Sequence, residues 1–183
     1  VVEDDYGVLV SWFADSLGVD VINSSLGYHD FDDVKTNHLY WEQDGETALI
    51  SHTASMCADK GIICVNSAGN DGMGVWKKIN FPADAKNILT VGSINEQGKN
   101  TAFSAVGPTA DGRIKPDVMA FGSPASVITG RGAIINDNGT SFSSPLIAGM
   151  TACLWQALPH KTAKQIIKLV KMAGNNQQHP DNI

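Results

Sequence analysis

A serine between a glycine-containing turn and a long apolar segment is the first feature of this sequence that suits chemistry. Residues 139–145 read GTSFSSP, and residues 141–158 are long enough for a helix that is apolar on most sides. A hydroxyl at the first turn of such a helix lies beside unpaired N–H groups and the positive end of the helix dipole, which stabilise negative charge on a substrate oxygen. Ser141 is therefore a candidate nucleophile. The segment alone fits equally well with Ser141 or Ser143 as the N-cap of a buried helix.

A second polar segment directly follows an apolar run. Residues 66–72 read NSAGNDG and come after IICV at 62–65. Sites in α/β folds lie at the carboxyl ends of parallel strands, so Asn70 is placed to project its amide into a crevice there. Gly-Asn-Asp-Gly at 69–72 is also a common turn composition, which leaves a plain loop as the alternative. The pairing of Asn70 with Ser141 favours a site.

The elements that must position these segments alternate between helices and short apolar strands. Helix signals are apolar periodicities ended by glycine, and strand signals are β-branched or apolar runs bounded by turn residues. They predict helices at 8–17, 46–60, 141–158 and 162–174, strands at 19–23, 62–65 and 88–92, and weaker strands at 125–128 and 133–135. Residues 28–45 lack a period and are expected to form a surface excursion. This order predicts an α/β fold with a mainly parallel sheet covered on both faces.

Composition excludes several classes of function. With 183 residues, 43% hydrophobic and 17% charged, the sequence has an ordinary globular balance that suits one domain or most of one. The net charge of −6 gives no basic surface for nucleic acid or anionic membranes. No apolar run approaches the roughly 20 residues that span a bilayer. Cys57, Cys64 and Cys153 lack paired metal spacing and are expected to be buried free thiols.

Five segments, in order along nearly the whole chain, resemble the subtilase family of serine proteases. Ser25-Leu26-Gly27 is similar to the family's substrate-binding strand, Ala68-Gly69-Asn70 to its oxyanion loop, and 139–145 to its nucleophile motif. Residues 103–108 and 114–118 resemble the family's segments between oxyanion loop and nucleophile. The resemblance implies a subtilisin-like three-layer α/β fold.

The same resemblance implies a serine endopeptidase that acts on polypeptides through an acyl-enzyme. Ser141 is then the nucleophile, and the Asn70 side chain and the Ser141 N–H hold the oxyanion. The substrate adds as an extended strand, a main-chain mode that tolerates many side chains. The substrate-binding residues implied in this way are Ser25, Leu26, Gly27, Ala68 and Gly69. Asp71 and Asn80 resemble positions near the family's first specificity pocket, which implies an acidic rim and a shortened pocket.

The chain departs from the family pattern in its triad. Subtilases order Asp, His and Ser along the chain, with the first two upstream of the substrate-binding strand. Asp15 falls at a predicted helix end and His52 lies after that strand within a helical pattern, so neither is assigned. The four other histidines have no motif context: His29, His38, His160 and His179. We therefore expect residues 1–183 to be the C-terminal portion of a subtilase catalytic domain, without the catalytic Asp and His and ending short of the family's last turns at 181–183.

Several expectations depend on that departure. The isolated chain should be nearly inactive, and its incomplete sheet should expose an apolar edge that favours self-association.

No metal site is assigned within the chain, although subtilases often bind calcium and the parent protein is a candidate for it. Carbonyls at 83–88 resemble a weak cation site, with plain exposure to solvent as the alternative. The family's bacterial members are mostly exported, which implies a secreted or cell-envelope location.

Two other functions remain open at this point. One is a non-catalytic subtilase-like domain that only binds peptides in the groove. The other is a flavodoxin-like domain in which Ser141 caps a helix whose start holds a phosphate or carboxylate.

Overall fold

A four-stranded parallel sheet forms the centre of the protein, in the order β1-β2-β3-β4. The computed structural model describes residues 2–175. The strands are β1 (Val21–Ser24), β2 (Ile63–Ser67), β3 (Leu89–Asn95) and β4 (Val118–Ser123), followed by an antiparallel hairpin of β5 (Ala125–Ile128) and β6 (Ile134–Asp137). The helices are α1 (Val2–Leu17), α2 (Leu49–Asp59), α3 (Thr140–Ala157) and α4 (Ala163–Met172), with 3₁₀ turns at Val34–Thr36 and Tyr40–Glu42. The predicted α/β fold with a mainly parallel sheet is confirmed.

The sheet is the middle of three layers. Ile63 and Val65 of β2 pack with α3 and α4, while Cys64 packs with Cys57 of α2 on the opposite face. Every residue of β2 is buried, because successive side chains of a strand point to opposite faces and both faces are covered. The continuous apolar run at 62–65 predicted this double coverage.

Helix α4 begins as the sequence predicts. The Thr162 hydroxyl accepts a hydrogen bond from the Gln165 N–H, and the Gln165 side chain accepts one from the Thr162 N–H. This capping box satisfies two backbone donors that a helix start leaves unpaired. The buried face of α4 contains Ile166, Ile167 and Val170. Residues 176–183, including His179 and the predicted end at 181–183, lie outside the described part of the chain.

Two predictions about α3 are wrong. The helix was expected to lie inside the core, but Leu146 and Met150 are exposed, and so is Cys153, which was expected to be a buried thiol. These residues follow each other at spacings of four and three, so they form one exposed apolar face. The opposite face contacts the sheet through residues such as Ala148. Apolar composition alone does not distinguish these two faces.

Helix α1 also presents an apolar face to solvent. Its other side lies so close to α2 that a Cβ on Gly7 would be 2.2 Å from Ile50 Cδ1. The outward stripe comprises five side chains that are each at least 58% exposed: Tyr6, Leu9, Val10, Phe13 and Leu17. Contiguous apolar surface of this kind marks an interaction site in a folded protein. Within the described residues, the sheet also ends at β1 and β4 without a further partner strand.

A buried ion cluster connects β3, β4 and α4 at the amino ends of the strands. Lys115 Nζ lies 2.6 Å from Asp117 Oδ2 and Lys171 Nζ lies 2.5 Å from Asp117 Oδ1. The side chains of Lys115 and Asp117 are only 4% and 6% exposed. Burial alone would raise the pKa of the Asp117 carboxyl, but the ammonium groups of Lys115 and Lys171 outweigh it and hold that pKa below its ordinary value. Asp117 also accepts a hydrogen bond from the Thr90 N–H.

Replacing Lys115 by methionine should lower the free energy of unfolding of the full-length protein by about 3 kcal/mol, because the Asp117 charge loses a buried partner. Urea unfolding measures this. The matched control is Lys164→Met, which breaks the ion pair between Lys164 and Asp59. Their side chains are 60% and 61% exposed, respectively. That variant should change stability by less than about 1 kcal/mol. Equal losses in the two variants would contradict the assigned role of the buried pair.

Candidate active site

A cleft of about 350 Å³ lies at the carboxyl ends of β1 and β2. It is lined by Ser25, Leu26, Gly27, Tyr28, Ser67, Gly69, Asn70, Asp71, Asn80, Thr140 and Ser141. The structure thus brings together the start of α3 and the segments that follow β1 and β2, as expected for a parallel sheet. Of the predicted site residues, only Ala68 does not line the cleft. It is fully buried, with its N–H bonded to Val91 and its carbonyl to the Asn80 N–H.

Ser141 lies in the first turn of α3, where a proline changes the hydrogen bonding of the helix. Pro145 has no N–H, so the Ser141 carbonyl lacks the helical donor four residues later. The Ser25 hydroxyl replaces that donor at 2.9 Å, and the Ser141 hydroxyl in turn donates to the Ser25 carbonyl at 3.2 Å. Ser144 also ties this turn to β1 by donating to Asn23 Oδ1 at 2.8 Å. These bonds fix Ser141 beside the segment that follows β1.

The Ser141 hydroxyl has no imidazole partner among residues 2–175. His29 stacks on Trp76 at 4.5 Å between ring centres, away from any contact with Ser141. The other described histidines with polar partners pair with carboxylates: His38 with Asp4 and Glu42, and His52 with Glu46. Asp15, at the end of α1, pairs with Lys60. Neither Asp15 nor His52 contacts the cleft, which agrees with leaving both unassigned.

Asn70 is held in one orientation by the start of α3. Its Oδ1 accepts hydrogen bonds from both the N–H and the hydroxyl of Thr140, each at 3.0 Å. The Thr140 hydroxyl accepts a further bond from the Gly69 N–H at 3.2 Å. Gly69 has φ of 105°, a conformation that favours glycine. With its oxygen occupied in this way, Asn70 directs its NH₂ group, two donors, towards the turn that holds Gly139 and Ser141.

The turn before Ser141 is packed tightly against β4. Gly139 donates to the Gly122 carbonyl at 3.0 Å. A Cβ on Gly122 would lie 2.3 Å from Ser143 Oγ and 2.7 Å from the Gly139 carbonyl oxygen. No side chain fits at Gly122, so the end of β4 fixes the height of the turn above the sheet.

Two of the carbonyls at 83–88 already accept hydrogen bonds from side chains. The Ala83 carbonyl accepts from the Thr90 hydroxyl at 2.6 Å, and the Ala85 carbonyl accepts from Arg113 at 3.3 Å. Lys115 Nζ lies 2.9 Å from Thr90 Oγ1, so this place already holds an ammonium group. Two positive side chains disfavour a metal ion there. Among the described residues, no group of three or more His, Cys, Asp or Glu side chains is arranged to hold one.

Two features of the cleft were not recognised from the sequence: the role of Thr140 and the hydrogen bond between Asp71 and Asn80. Thr140 was read only as part of the GTSFSSP segment, yet its hydroxyl orients Asn70. The only indication of this role in the sequence is that Thr140 directly precedes Ser141. The Asp71–Asn80 hydrogen bond of 2.7 Å joins residues nine positions apart, and nothing in the local pattern indicates it.

The layered parallel sheet, with a cleft beside Ser141 at its carboxyl edge, defines an α/β protein. The profile of the Subtilase family matches residues 5–183, and the chain belongs to that family. The flavodoxin-like alternative is thereby set aside.

Relatives and solved structures agree with this assignment. The chain is 31% identical over 177 residues to the subtilisin-like protease SBT6.1 of Arabidopsis thaliana, covering 88% of this chain and 15% of that protein. It is 29% identical over 175 residues to subtilisin DY of Bacillus licheniformis, covering 93% of this chain and 56% of that protein. The PatG macrocyclase in complex with peptide has the same fold, with a TM-score of 0.68 at 19% identity over 88% of this chain and 45% of that one. The chain thus spans between 15% and 56% of the length of these three proteins.

Substituting Thr140 by valine should lower the free energy of unfolding of the full-length protein by about 1–3 kcal/mol, because the Gly69 N–H loses its acceptor and Asn70 Oδ1 keeps only the Thr140 N–H as a donor. Chemical denaturation measures this change. The matched control on the same helix is Thr151→Val, whose buried hydroxyl has no partner among the described residues. That replacement should be neutral or slightly stabilising. A Thr151 variant as unstable as the Thr140 variant would show that the Thr140 bonds contribute little.

Proposed function

We propose that this chain is the C-terminal portion of the catalytic domain of a serine endopeptidase. The observation that best supports this proposal is that Ser141 and Asn70 line the same cleft. Thr140 holds the Asn70 side-chain oxygen by two hydrogen bonds, which leaves the Asn70 NH₂ group available to donate. A hydroxyl beside an oriented amide and a helix N-terminus is suited to attack on a carbonyl whose oxygen becomes negatively charged. Membership of the subtilase family supports this chemistry.

In the proposed reaction Ser141 Oγ attacks the carbonyl carbon of a peptide bond. A general base takes the hydroxyl proton, and the carbonyl oxygen becomes an oxyanion that accepts hydrogen bonds from Asn70 Nδ2 and the Ser141 N–H. Collapse of this intermediate breaks the C–N bond, with the base now protonating the leaving amine. Water then hydrolyses the acyl-enzyme by the same steps, which restores the Ser141 hydroxyl.

The base and its orienting carboxylate come, in this proposal, from a part of the protein outside residues 1–183. The described residues supply no imidazole to Ser141, whose proton is instead directed at the Ser25 carbonyl. The apolar stripe of α1, the exposed face of α3 and the uncovered edge of β1 provide surface on which such a part would pack. Without it, the chain should be nearly inactive and prone to self-association through that surface.

The substrate is proposed to bind as an extended strand along residues 25–27, with Gly69, which follows the buried Ala68, on the other side of the cleft. Ser25 is held by hydrogen bonds with Ser141, Gly27 packs closely against Asn80, and the Leu26 side chain is exposed. Calcium in the parent protein and export from the cell remain proposals that follow from the family. No helix in the described part of the chain is long and apolar enough to cross a membrane.

A second candidate is a subtilase-like domain that binds peptides without cleaving them. The observation in its favour is the reciprocal pair of hydrogen bonds between Ser141 and Ser25, which occupies the hydroxyl in the absence of a base. The state of the triad in the full-length protein separates the two candidates.

The full-length protein should be labelled by a fluorophosphonate at Ser141 and should hydrolyse casein. The Ser141→Ala variant should do neither, and residues 1–183 alone should show at least about a thousandfold slower labelling because the base is absent. Mass spectrometry of the labelled peptide and casein turnover measure these outcomes. A full-length protein that neither labels nor cleaves after removal of any propeptide would favour the peptide-binding domain.

Replacing Asn70 by alanine in the full-length protein should lower kcat by about 100- to 1,000-fold with little change in KM, a magnitude taken from loss of the equivalent asparagine in subtilisin, a member of this family. The reason is that the amide contacts the oxygen mainly in the transition state. Steady-state kinetics on a fluorogenic peptide measure this. Asn100→Ala, at an exposed position far along the chain from the site, is the matched control and should keep full activity. A rise in KM at constant kcat would show that Asn70 only binds substrate.

A further inference from the structure

Two cysteines face each other across the interface between α2 and the central sheet. Cys57 lies on the side of α2 that also carries Ala54 and Ala58, at the spacings of one helix face, and this side packs on the sheet. Cys64 is the residue of β2 that points to α2, because its neighbours in the strand point to α3 and α4 on the opposite face. The periods of the helix and of the strand therefore bring the two side chains together.

The turn between α2 and β2 fixes how the two cysteines meet. The Ile62 N–H donates to the Cys57 carbonyl and the Gly61 N–H to the Ala58 carbonyl, each at 3.1 Å. Gly61 has φ of 100°, a conformation that favours glycine and lets the chain reverse after the helix. Ile62 and Cys64 are two positions apart in extended chain and point to the same face, where both pack with Cys57. The backbone thus returns Cys64 over the last turn of α2.

The two thiols form a hydrogen bond in a place that is nearly closed to solvent. Both are free thiols, and Cys57 is 6% exposed and Cys64 8%. The Cys64 thiol donates to the Cys57 sulfur, and this bond outweighs burial and lowers the pKa of the Cys57 thiol to about 7. The same bond, together with burial, raises the pKa of the Cys64 thiol. Cys57 is therefore the nucleophile of the pair, and Cys64 is its partner in the protonated form.

Other groups around the pair do not change this assignment. The Ser11 hydroxyl of α1 also forms a hydrogen bond with the Cys57 thiol and lowers its pKa. The nearest charges, on Asp15 and Lys60, act on the pKa of Cys57 in opposite directions and pair with each other. Cys153 is exposed on α3, which packs on the other face of the sheet, so it is not a partner for either thiol.

We propose that Cys57 and Cys64 form a peroxide-responsive dithiol that closes reversibly to a disulfide and fastens α2 to the strand that leads to Asn70. In the first step the Cys57 thiolate attacks one oxygen of hydrogen peroxide. The O–O bond breaks, which leaves a sulfenic acid on Cys57 and a hydroxide that takes up the proton released by Cys57. The Cys64 sulfur then attacks the Cys57 sulfur, and the S–O bond breaks as the hydroxyl leaves with the Cys64 proton as water. Two thiols are oxidised and one peroxide is reduced to two waters.

The burial of the pair selects the oxidant and gives the disulfide its effect. Thiols that are 6% and 8% exposed admit a small peroxide and exclude a bulky organic disulfide. The new bond closes a short loop between residues seven positions apart, which removes conformations from the unfolded chain. It also joins α2 covalently to β2, whose end carries the loop with Gly69 and Asn70.

The test treats the full-length protein carrying Cys153→Ser with hydrogen peroxide and maps its disulfides by mass spectrometry. Trypsin cleaves after Lys60, so Cys57 and Cys64 fall in separate peptides, 36–60 and 61–77. These peptides should appear joined with the loss of two hydrogens, and a thiol reductant should separate them. Oxidation of methionine adds oxygen and is not reversed by thiols, so it is distinguished by mass. The oxidised protein should have a Tm at least about 2 °C higher than the reduced protein.

Two single variants separate the roles of the thiols. In Cys64→Ser the sulfenic acid of Cys57 cannot be resolved, and dimedone should trap it on peptide 36–60. In Cys57→Ser, trapping on peptide 61–77 should be at least about tenfold slower, because burial keeps the remaining thiol protonated. Circular dichroism and thermal unfolding check that both variants fold, and the disulfide in the protein that retains both cysteines is measured independently of them.

Several outcomes would overturn the inference. They are separate peptides with both thiols recovered, a link that forms only between molecules or only in denaturant, a Tm that falls on oxidation, or equal trapping of the two thiols. None of these measurements depends on peptide cleavage. Labelling of Ser141 by the fluorophosphonate therefore decides the proposed function separately.

Discussion

The hydrogen bonds between Thr140 and Asn70 are the contacts on which the whole site depends. They join the start of α3 to the loop after β2 across 70 residues of sequence, and they orient the amide that faces Ser141. The remaining features adapt to this junction. Gly69 adopts a positive φ so that its N–H reaches the Thr140 hydroxyl, and Gly122 lacks a side chain so that the turn before Ser141 can rest on β4.

Much of this architecture was predictable because it follows from hydrophobic periodicity. Three of the four strands in the parallel sheet and all four helices were located from the sequence, and the α4 capping box was read directly from Thr162 and Gln165. Strand β4 was not assigned, because VMAFGS contains a glycine, alternates poorly and follows a stretch rich in prolines and charges. Its position is determined by pairing with β3, a long-range contact that local pattern does not contain.

The errors in the prediction of buried surface have a common physical origin. The residues of α3 are apolar on most sides, so periodicity could not show that Leu146, Met150 and Cys153 face solvent. An apolar side chain indicates a preference for leaving water, but not which neighbour removes it from water. In the site, the residue types at Ser141 and Asn70 were informative because their chemistry is specific. The hydrogen bond between Asn80 and Asp71 in the cleft depends on side-chain positions that only the fold determines.

The reciprocal bonds of Ser25 and Ser141 have a consequence for the order of events during synthesis. These residues are 116 positions apart, and β1 cannot pair with β2 until the connection that contains α2 has been made. Contacts of such long range form slowly, because the entropy of closing the intervening chain is lost before the contacts stabilise the fold. The cleft around Ser141 therefore forms only after residues 25–141 have been synthesised and brought together, which makes it a late feature of folding.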